Sequence, residues 1–233
     1  MSEELRKEVA GLVRGVRNWV RYQQGLGVEG FWNKKENRYD ALGFPVEKPL
    51  TLEDIRSEMG DCTRCKLCDS RTQIVFGVGP VDAELMFIGE APGEEEDKQG
   101  EPFVGRAGQL LTKIIKAMKY ERSEVYITNV NKCRPPKNRD PRPEEVEACE
   151  PFLIKQIQVV KPKVIVALGR WAAQTLLKTK TPITALRGKF HDYHGIALMP
   201  TFHPAAILRD PNLRRPVWED MKQVMKRMGK EVT

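Results

Sequence analysis

From Thr51 onward, short and almost wholly apolar runs alternate with stretches in which apolar residues recur at helical spacing. The runs cover 84–89, 125–130, 164–169 and 196–201, and the helical patterns cover 106–119, 143–160, 170–178 and 216–229. A short run without polar alternation is what a strand needs when both of its faces are covered. Strands separated by amphipathic helices imply a mostly parallel sheet between two helical layers, a three-layer α/β/α fold. Upstream the pattern changes. Leu5, Val9, Leu12, Val13, Val16 and Val20 lie at helical spacing among arginines and lysines, which predicts a basic amphipathic helix over 3–24. Residues 25–50 are rich in glycine, aromatic and charged residues, and Phe44-Pro45 and Lys48-Pro49 interrupt any regular pattern. The chain therefore divides into a helix and linker over 1–50 and a domain over 51–233. Packing on that domain is a simpler role for the helix than a dedicated DNA arm or partner site.

Each predicted strand hands over to a polar motif: Gly89-Glu90, Asn129, Gly169-Arg170 and His203-Pro204. In an open α/β sheet the carboxyl ends of the strands form the ligand-binding rim, so these four motifs are expected to meet there. The first leads into Gly89-Glu90-Ala91-Pro92-Gly93-Glu94-Glu95-Glu96-Asp97, read as a loop dense in glycine and carboxylates. Pro102-Phe103-Val104-Gly105-Arg106-Ala107-Gly108 follows. A run of acids is often only a solvated loop tip, but the other polar strand ends give this one a functional context.

Composition narrows the choice of partner. The 233 residues carry 39 Lys and Arg against 32 Asp and Glu, a formal charge of +7, which favours an anionic partner such as nucleic acid. No apolar run approaches the roughly 20 residues of a membrane span, and the N-terminus lacks a signal-peptide core, so a cytoplasmic protein is expected. Of the five cysteines, Cys62, Cys65 and Cys68 form CxxCxxC, and Cys133 and Cys149 follow. An odd count argues against a disulfide set, whereas a close pair joined by two distant cysteines supplies four sulfurs for one metal centre. The expected ligands are Cys62, Cys65, Cys133 and Cys149, with Cys68 spare or replacing Cys65. Spacing alone admits zinc and iron–sulfur equally.

Gly89-Glu90-Ala91-Pro92-Gly93, Cys133-Arg134-Pro135-Pro136-Lys137-Asn138-Arg139-Asp140-Pro141, the cysteine pattern and Thr201-Phe202-His203-Pro204-Ala205-Ala206, taken together and in order, resemble the family 4 uracil-DNA glycosylases. The resemblance covers about residues 60–226 and leaves out the first 50. It implies a four-stranded, mainly parallel sheet and a [4Fe-4S] cluster of structural role on the four cysteines. It also implies a monofunctional enzyme of base-excision repair that hydrolyses the N-glycosidic bond of uracil in single- or double-stranded DNA and leaves an abasic site.

The residue roles follow from the same resemblance. Phe103 would stack on the flipped pyrimidine, and His203 would donate to uracil O2 as the leaving anion forms. Glu90 would stand in the pocket wall, with Ala91 beside it at the substrate. Glu96, held by the amide of Asn138, would face the attacking water. Asn129 suits its place on chemical grounds as well, because its amide can donate to uracil O4 and accept from N3–H, a pair that cytosine reverses. Family 1 enzymes carry an aspartate and a tyrosine where this chain has Ala91 and Gly93, so the barrier against thymine's methyl group is unassigned. His191 and His194 fit no motif and are expected on a surface hairpin. In the 204–209 segment, apolar Leu208 followed by Arg209 suits a wedge for the vacated base stack, although Leu208 suits a core equally. Backbone amides and guanidinium groups at Gly105, Arg106, Gly169 and Arg170 are placed to meet phosphates, and Arg134, Lys137 and Arg139 add positive charge. Lys98, Lys132 and Lys137 give no reason for a depressed pKa, so no Schiff-base lyase step is expected. The alternatives are an iron–sulfur nucleic-acid-binding module without hydrolysis, and a glycosylase for another deaminated base. A monomer is expected.

Overall fold

A computed structural model describes residues 49–231, most of them in a compact unit that begins at Leu50. The predicted helix over 3–24 and nearly all of its linker lie outside the described residues. Within the unit the chain runs α1 (Leu52–Met59), β1 (Leu85–Gly89), α2 (Glu94–Gln99), α3 (Arg106–Ala117), β2 (Tyr126–Asn129), α4 (Pro143–Val160), β3 (Val164–Leu168), α5 (Arg170–Leu177), α6 (Ile183–Leu186), β4 (His191–Tyr193), β5 (Ile196–Thr201), α7 (Pro204–Arg209) and α8 (Arg214–Arg227).

The strands form one sheet in the order β2-β1-β3-β5-β4, parallel except for the antiparallel edge strand β4. Side chains on a strand alternate between faces, and the core divides accordingly. Leu85, Phe87, Ile127, Val164, Val166 and Met199 meet Leu111 and Ile115 of α3 and Val217, Met221 and Val224 of α8. Met86, Ile88, Tyr126, Ile165, Ala167 and Leu198 face the other way, against Leu153 and Ile157 of α4 and Ala172, Ala173 and Leu176 of α5. A smaller cluster of Ile55, Met59, Phe76 and Phe152 seats α1 on α4.

The sheet has five strands where four are expected. β4 escapes the sequence pattern because His-Asp-Tyr is short, charged and partly exposed at an edge, with no apolar run to mark it. Its place in a hairpin with β5 matches the reading of His191 and His194. A second difference concerns the acidic segment, which is a helix and not a loop. Gly93 starts α2, and Glu94–Asp97 supply a first turn whose negative charge suits a helix N-terminus.

Parallel register brings the rim together. Gly89 pairs with Asn129, Ile88 with Ala167 and Leu168 with Thr201, so β1, β2, β3 and β5 all end at one level. Behind that rim, the Asp220 carboxylate of α8 is fully buried and binds both Thr201 Oγ1 at 2.6 Å and the Arg187 guanidinium at 2.7 and 3.1 Å. A buried, hydrogen-bonded ion pair of this kind fixes where β5 ends, and therefore where the chain turns toward His203.

Candidate active site

A cleft of ≈ 610 Å³ opens at the rim, lined by Glu90, Ala91, Glu96, Phe103, Asn129, Asn138, Arg170 and His203 among others. All seven non-cysteine candidates singled out from the sequence thus share one cavity. Arg139, Asp140, Trp171, Ile183 and Arg209 also line it. Nothing in the sequence marks Trp171 and Ile183, which reach the cavity only through the placement of α5 and α6.

Two glycines create the floor. A Cβ built on Gly89 would lie 2.3 Å from Asn129 Oδ1 and 2.5 Å from Phe103 Cζ, so only a bare backbone lets both side chains close over the end of β1. A Cβ on Gly108 would lie 1.8 Å from the Phe103 carbonyl oxygen, which allows α3 to press against the turn at Phe103. Phe103 itself takes φ 55°, a left-handed conformation that costs a bulky residue energy and is retained where its surroundings demand it. Its ring lies 5.6 Å from that of His203, with the planes 33° apart.

Asn129 is 2 % exposed, and its Oδ1 has no hydrogen-bond partner within the protein. A buried acceptor left open at a cavity wall awaits a donor from outside the chain. His203 caps α7, and its Nδ1 accepts the Ala205 amide at 3.1 Å, so Nε2 carries the proton. Burial lowers its pKa to about 4, with Arg209 contributing. The imidazole is therefore neutral near pH 7 and offers an N–H donor. Glu90 moves in the other direction. Burial, reinforced by the Asp140 carboxylate and offset in part by Arg170, raises it to about 7.

Glu96 departs from its expected setting. Its Oε1 accepts the Val104 and Gly105 amides at 2.9 Å each, and its Oε2 accepts the Gly93 amide at 3.1 Å. The Asn138 amide is not its holder. Asn138 Oδ1 accepts from Arg134 Nε at 2.8 Å, and Arg134 reaches on to Glu94 at 3.3 Å. The helical turn decides which acids point inward: Glu96 and Asp97 are buried, while Glu94 and Glu95 are exposed. Asp97 is likewise used on backbone, accepting the Thr72 amide at 2.9 and 3.0 Å.

The anticipated phosphate contacts change too. The Gly105 amide is taken by Glu96 and the Gly169 amide by the Thr201 carbonyl at 2.8 Å, so neither is free for a phosphate. Arg170 keeps its guanidinium at the cleft, paired with Asp140 at 3.0 Å. Leu208 is 40 % exposed, which removes the core alternative for it. Lys132 corrects a further expectation, since complete burial lowers its pKa to about 7. It does not line the cleft, however, and among the described residues no lysine does.

The cysteines approach one another beside this rim. Cys65 is perturbed by Cys62, Cys133 by Cys149 and Cys65, and Cys149 by Cys65 and Cys62. Burial pushes the Cys133 thiol up to about 12 and raises Cys65 and Cys149. N–H donors already point at three of the sulfurs: Arg64 at Cys62 (3.4 Å), Arg71 at Cys133 (3.5 Å) and the Lys132 amide at Cys149 (3.2 Å). Cys68 instead meets the Asp69 carboxylate at 3.3 Å. Among the described residues, no three His, Cys, Asp or Glu side chains are grouped tightly enough to share a single ion.

Comparison with known proteins agrees with this geometry. Residues 76–222 match the model of the uracil DNA glycosylase superfamily. The chain is 48 % identical to a type-4 uracil-DNA glycosylase of Sulfurisphaera tokodaii, over 75 % of its own length and 83 % of the relative's. To the type-4 enzyme of Archaeoglobus fulgidus it is 44 % identical, over 78 % and 95 % of the two chains. For that of Thermotoga maritima the identity is 46 %, over 77 % and 96 %. By its family match and its similarity to these relatives over most of their length, the chain belongs to the uracil DNA glycosylase superfamily, in its type-4 branch.

Proposed function

We propose that this protein excises uracil from DNA by hydrolysing the bond between uracil N1 and the deoxyribose, leaving an abasic site for repair. The observation that carries the reading is the pairing, in one cleft, of an open buried acceptor on Asn129 with a neutral donor on His203. Uracil within a duplex is out of reach, so the nucleotide is flipped at a cost of a few kcal/mol, which contacts in the pocket must offset. Phe103 offers its ring face to the pyrimidine. Asn129 Oδ1 accepts from N3–H. Cytosine lacks that proton, so binding it would leave the buried acceptor unsatisfied at a cost of about 1–3 kcal/mol.

Cleavage puts negative charge on the departing base and positive charge on the sugar. His203 Nε2–H donates to uracil O2 as that negative charge grows, and the Ala205 amide on Nδ1 holds the tautomer that makes this donation possible. The sugar side falls to Glu90, whose carboxylate is ionised in about half the molecules near pH 7 and is positioned to stabilise the cation and orient a water. Glu96 is given a different part from the one the resemblance suggests. With both oxygens bound to backbone amides it joins the start of α2 to the turn that carries Phe103, and so positions the stacking ring. The absence of a lysine from the described cleft lining supports simple hydrolysis without a lyase step.

Cys62, Cys65, Cys133 and Cys149 suit an iron–sulfur cluster. Three of the sulfurs accept N–H donors, and burial disfavours a free thiolate at Cys65, Cys133 and Cys149, so a cationic group is needed to hold these three ionised. When bound, the cluster supplies cross-links between the segment at 62–65, the 133 loop and α4.

The test is uracil release from an oligonucleotide with one U opposite G, using protein purified without oxygen and the Asn129→Ala, His203→Ala and Glu90→Gln variants. Release by the parent, with each variant reduced about 10²-fold or more, is expected for lost contacts at a transition state. DNA binding without release would favour a binding module, and release of a different base would reassign the substrate.

A further inference from the structure

The cleft is larger than one pyrimidine needs. Its ≈ 610 Å³ is in the range of cavities that hold drug-sized ligands, and the proposed reaction draws mainly on the ends of β1, β2 and β5 and on the Phe103 turn. Another part of the lining comes from α5 and α6, and there Trp171 and Ile183 have no part in the reaction. Trp171 stands in the first turn of α5, off its buried face. Ala172, Ala173 and Leu176 carry that face, whereas Trp171 is only partly buried and, among the described residues, belongs to none of the three core clusters. A large apolar ring is normally covered by core packing; this one lines a cavity.

Its surroundings fix the indole and leave one of its atoms open. The Arg170 guanidinium lies 4.9 Å from the ring centroid and is itself tied to Asp140 at 3.0 Å, which braces the ring. The indole Nε1–H is buried and has no acceptor within the protein. Buried donors are normally paired, so one in a residue that lines a cavity awaits an acceptor from a ligand. The position is close to the proposed chemistry. Gly169, two residues before the indole, has φ 91°, and a Cβ built there would lie 3.0 Å from His203 Cβ, so a bare backbone lets the start of α5 come up against the leaving-group donor. The charges of Arg170 and Asp140 are both felt at Glu90, on the sugar side.

We propose that Trp171 forms a second subsite in the cleft, which takes the nucleotide next to uracil in the same strand: the indole stacks on its base, and Nε1–H donates to one of its oxygens. The proposal rests on the glycosylase reading above. A ring beside an open donor matches a nucleotide of any sequence, because every base has a π-face and every nucleotide carries oxygen acceptors. Such a subsite serves single-stranded DNA above all, since pairing in a duplex holds the neighbouring base in its stack.

The test uses the full-length protein purified without oxygen, with its Trp171→Ala and Trp171→Phe variants, and two single-stranded oligonucleotides. Both contain one uracil; in the second, the bases on either side of it are replaced by tetrahydrofuran abasic residues. For the parent, removing the flanking bases lowers kcat/KM for uracil release about 10-fold, the worth of one base stacked on an aromatic ring, and the loss is carried by KM. Trp171→Ala shows the same loss on the first oligonucleotide and no further loss on the second. Trp171→Phe keeps a ring but has no N–H, and its kcat/KM on the first oligonucleotide lies between those of the parent and Trp171→Ala. Affinity for free uracil is parental in both variants. Equal kcat/KM of the parent on the two oligonucleotides overturns the proposal, as does a loss in Trp171→Ala that is just as large without the flanking bases. Weakened binding of free uracil in Trp171→Ala also overturns it, by making the indole a support of the uracil pocket. If Trp171→Ala does not fold, the parent and Trp171→Phe decide: a parent indifferent to the flanking bases, or a Trp171→Phe protein with parental kcat/KM, overturns the subsite. A parent that releases no uracil from either oligonucleotide defeats the glycosylase reading itself, a failure distinct from one that depends on the flanking bases.

Discussion

Glu90 is the residue whose environment says most about rate. Its folded pKa of about 7 results first from burial and then from Asp140, against the opposing charge of Arg170. The carboxylate is protonated below that pH and ionised above it. If the anion stabilises the sugar cation, kcat/KM rises about tenfold per pH unit below 7 and levels off above it, and Glu90→Gln abolishes the rise. Asp140→Asn removes the charge that raises Glu90 and also releases Arg170, so the profile of that variant shifts to lower pH. A profile that stays in place after this substitution would exclude Asp140 as a cause. At Gly89, substitution by alanine forces a Cβ to within 2.5 Å of both Asn129 and Phe103. Overpacking of this kind costs about 1–3 kcal/mol, and denaturant unfolding together with a raised KM would register it.

The elements α2 and α3 show how local chemistry is used to aim a side chain. Glu96 gathers amides from Gly93, Val104 and Gly105, which ties the first turn of α2 to the approach to α3. Glu96→Gln leaves an NH₂ facing at least one of these amides. The expected cost is about 1–3 kcal/mol, read as a lower Tm, with weaker uracil binding because Phe103 loses its support. Unchanged uracil affinity in a folded Glu96→Gln protein would return this residue to a direct chemical role. Four acids in a row could be recognised in the sequence, but not which of them point inward, because that depends on where the helix starts and how it rotates against the sheet. The strands were easier to place. β1, β3 and β5 are apolar on both faces, and their runs stand out; β4 is missed because an edge strand does not need that pattern.

For the whole molecule, two expectations concern charge and metal. A net charge of +7 predicts that binding to uracil-containing DNA weakens as salt rises, with a linear dependence on a log–log plot. Removing metal with a chelator is expected to lower Tm and loosen the cleft, since the four thiols without a cation lose their shared cross-link. An unchanged melting curve after metal loss would argue against that structural part. The sequence alone determined the α/β class, the four motifs at strand ends, the five cysteines and the list of cavity candidates, because buried strands need apolar runs and this chemistry needs particular side chains. Distances, burial and partners came only with the tertiary structure. It took Glu96 out of the hands of Asn138 and gave it to three backbone amides, and it left the Asn129 acceptor open. It set the tautomer of His203 and buried the Lys132 side chain against the carbonyl of the base-reading Asn129. Each of these depends on atoms far apart in the chain, whose approach is set by the packing of helices on a sheet and by no local pattern of residues.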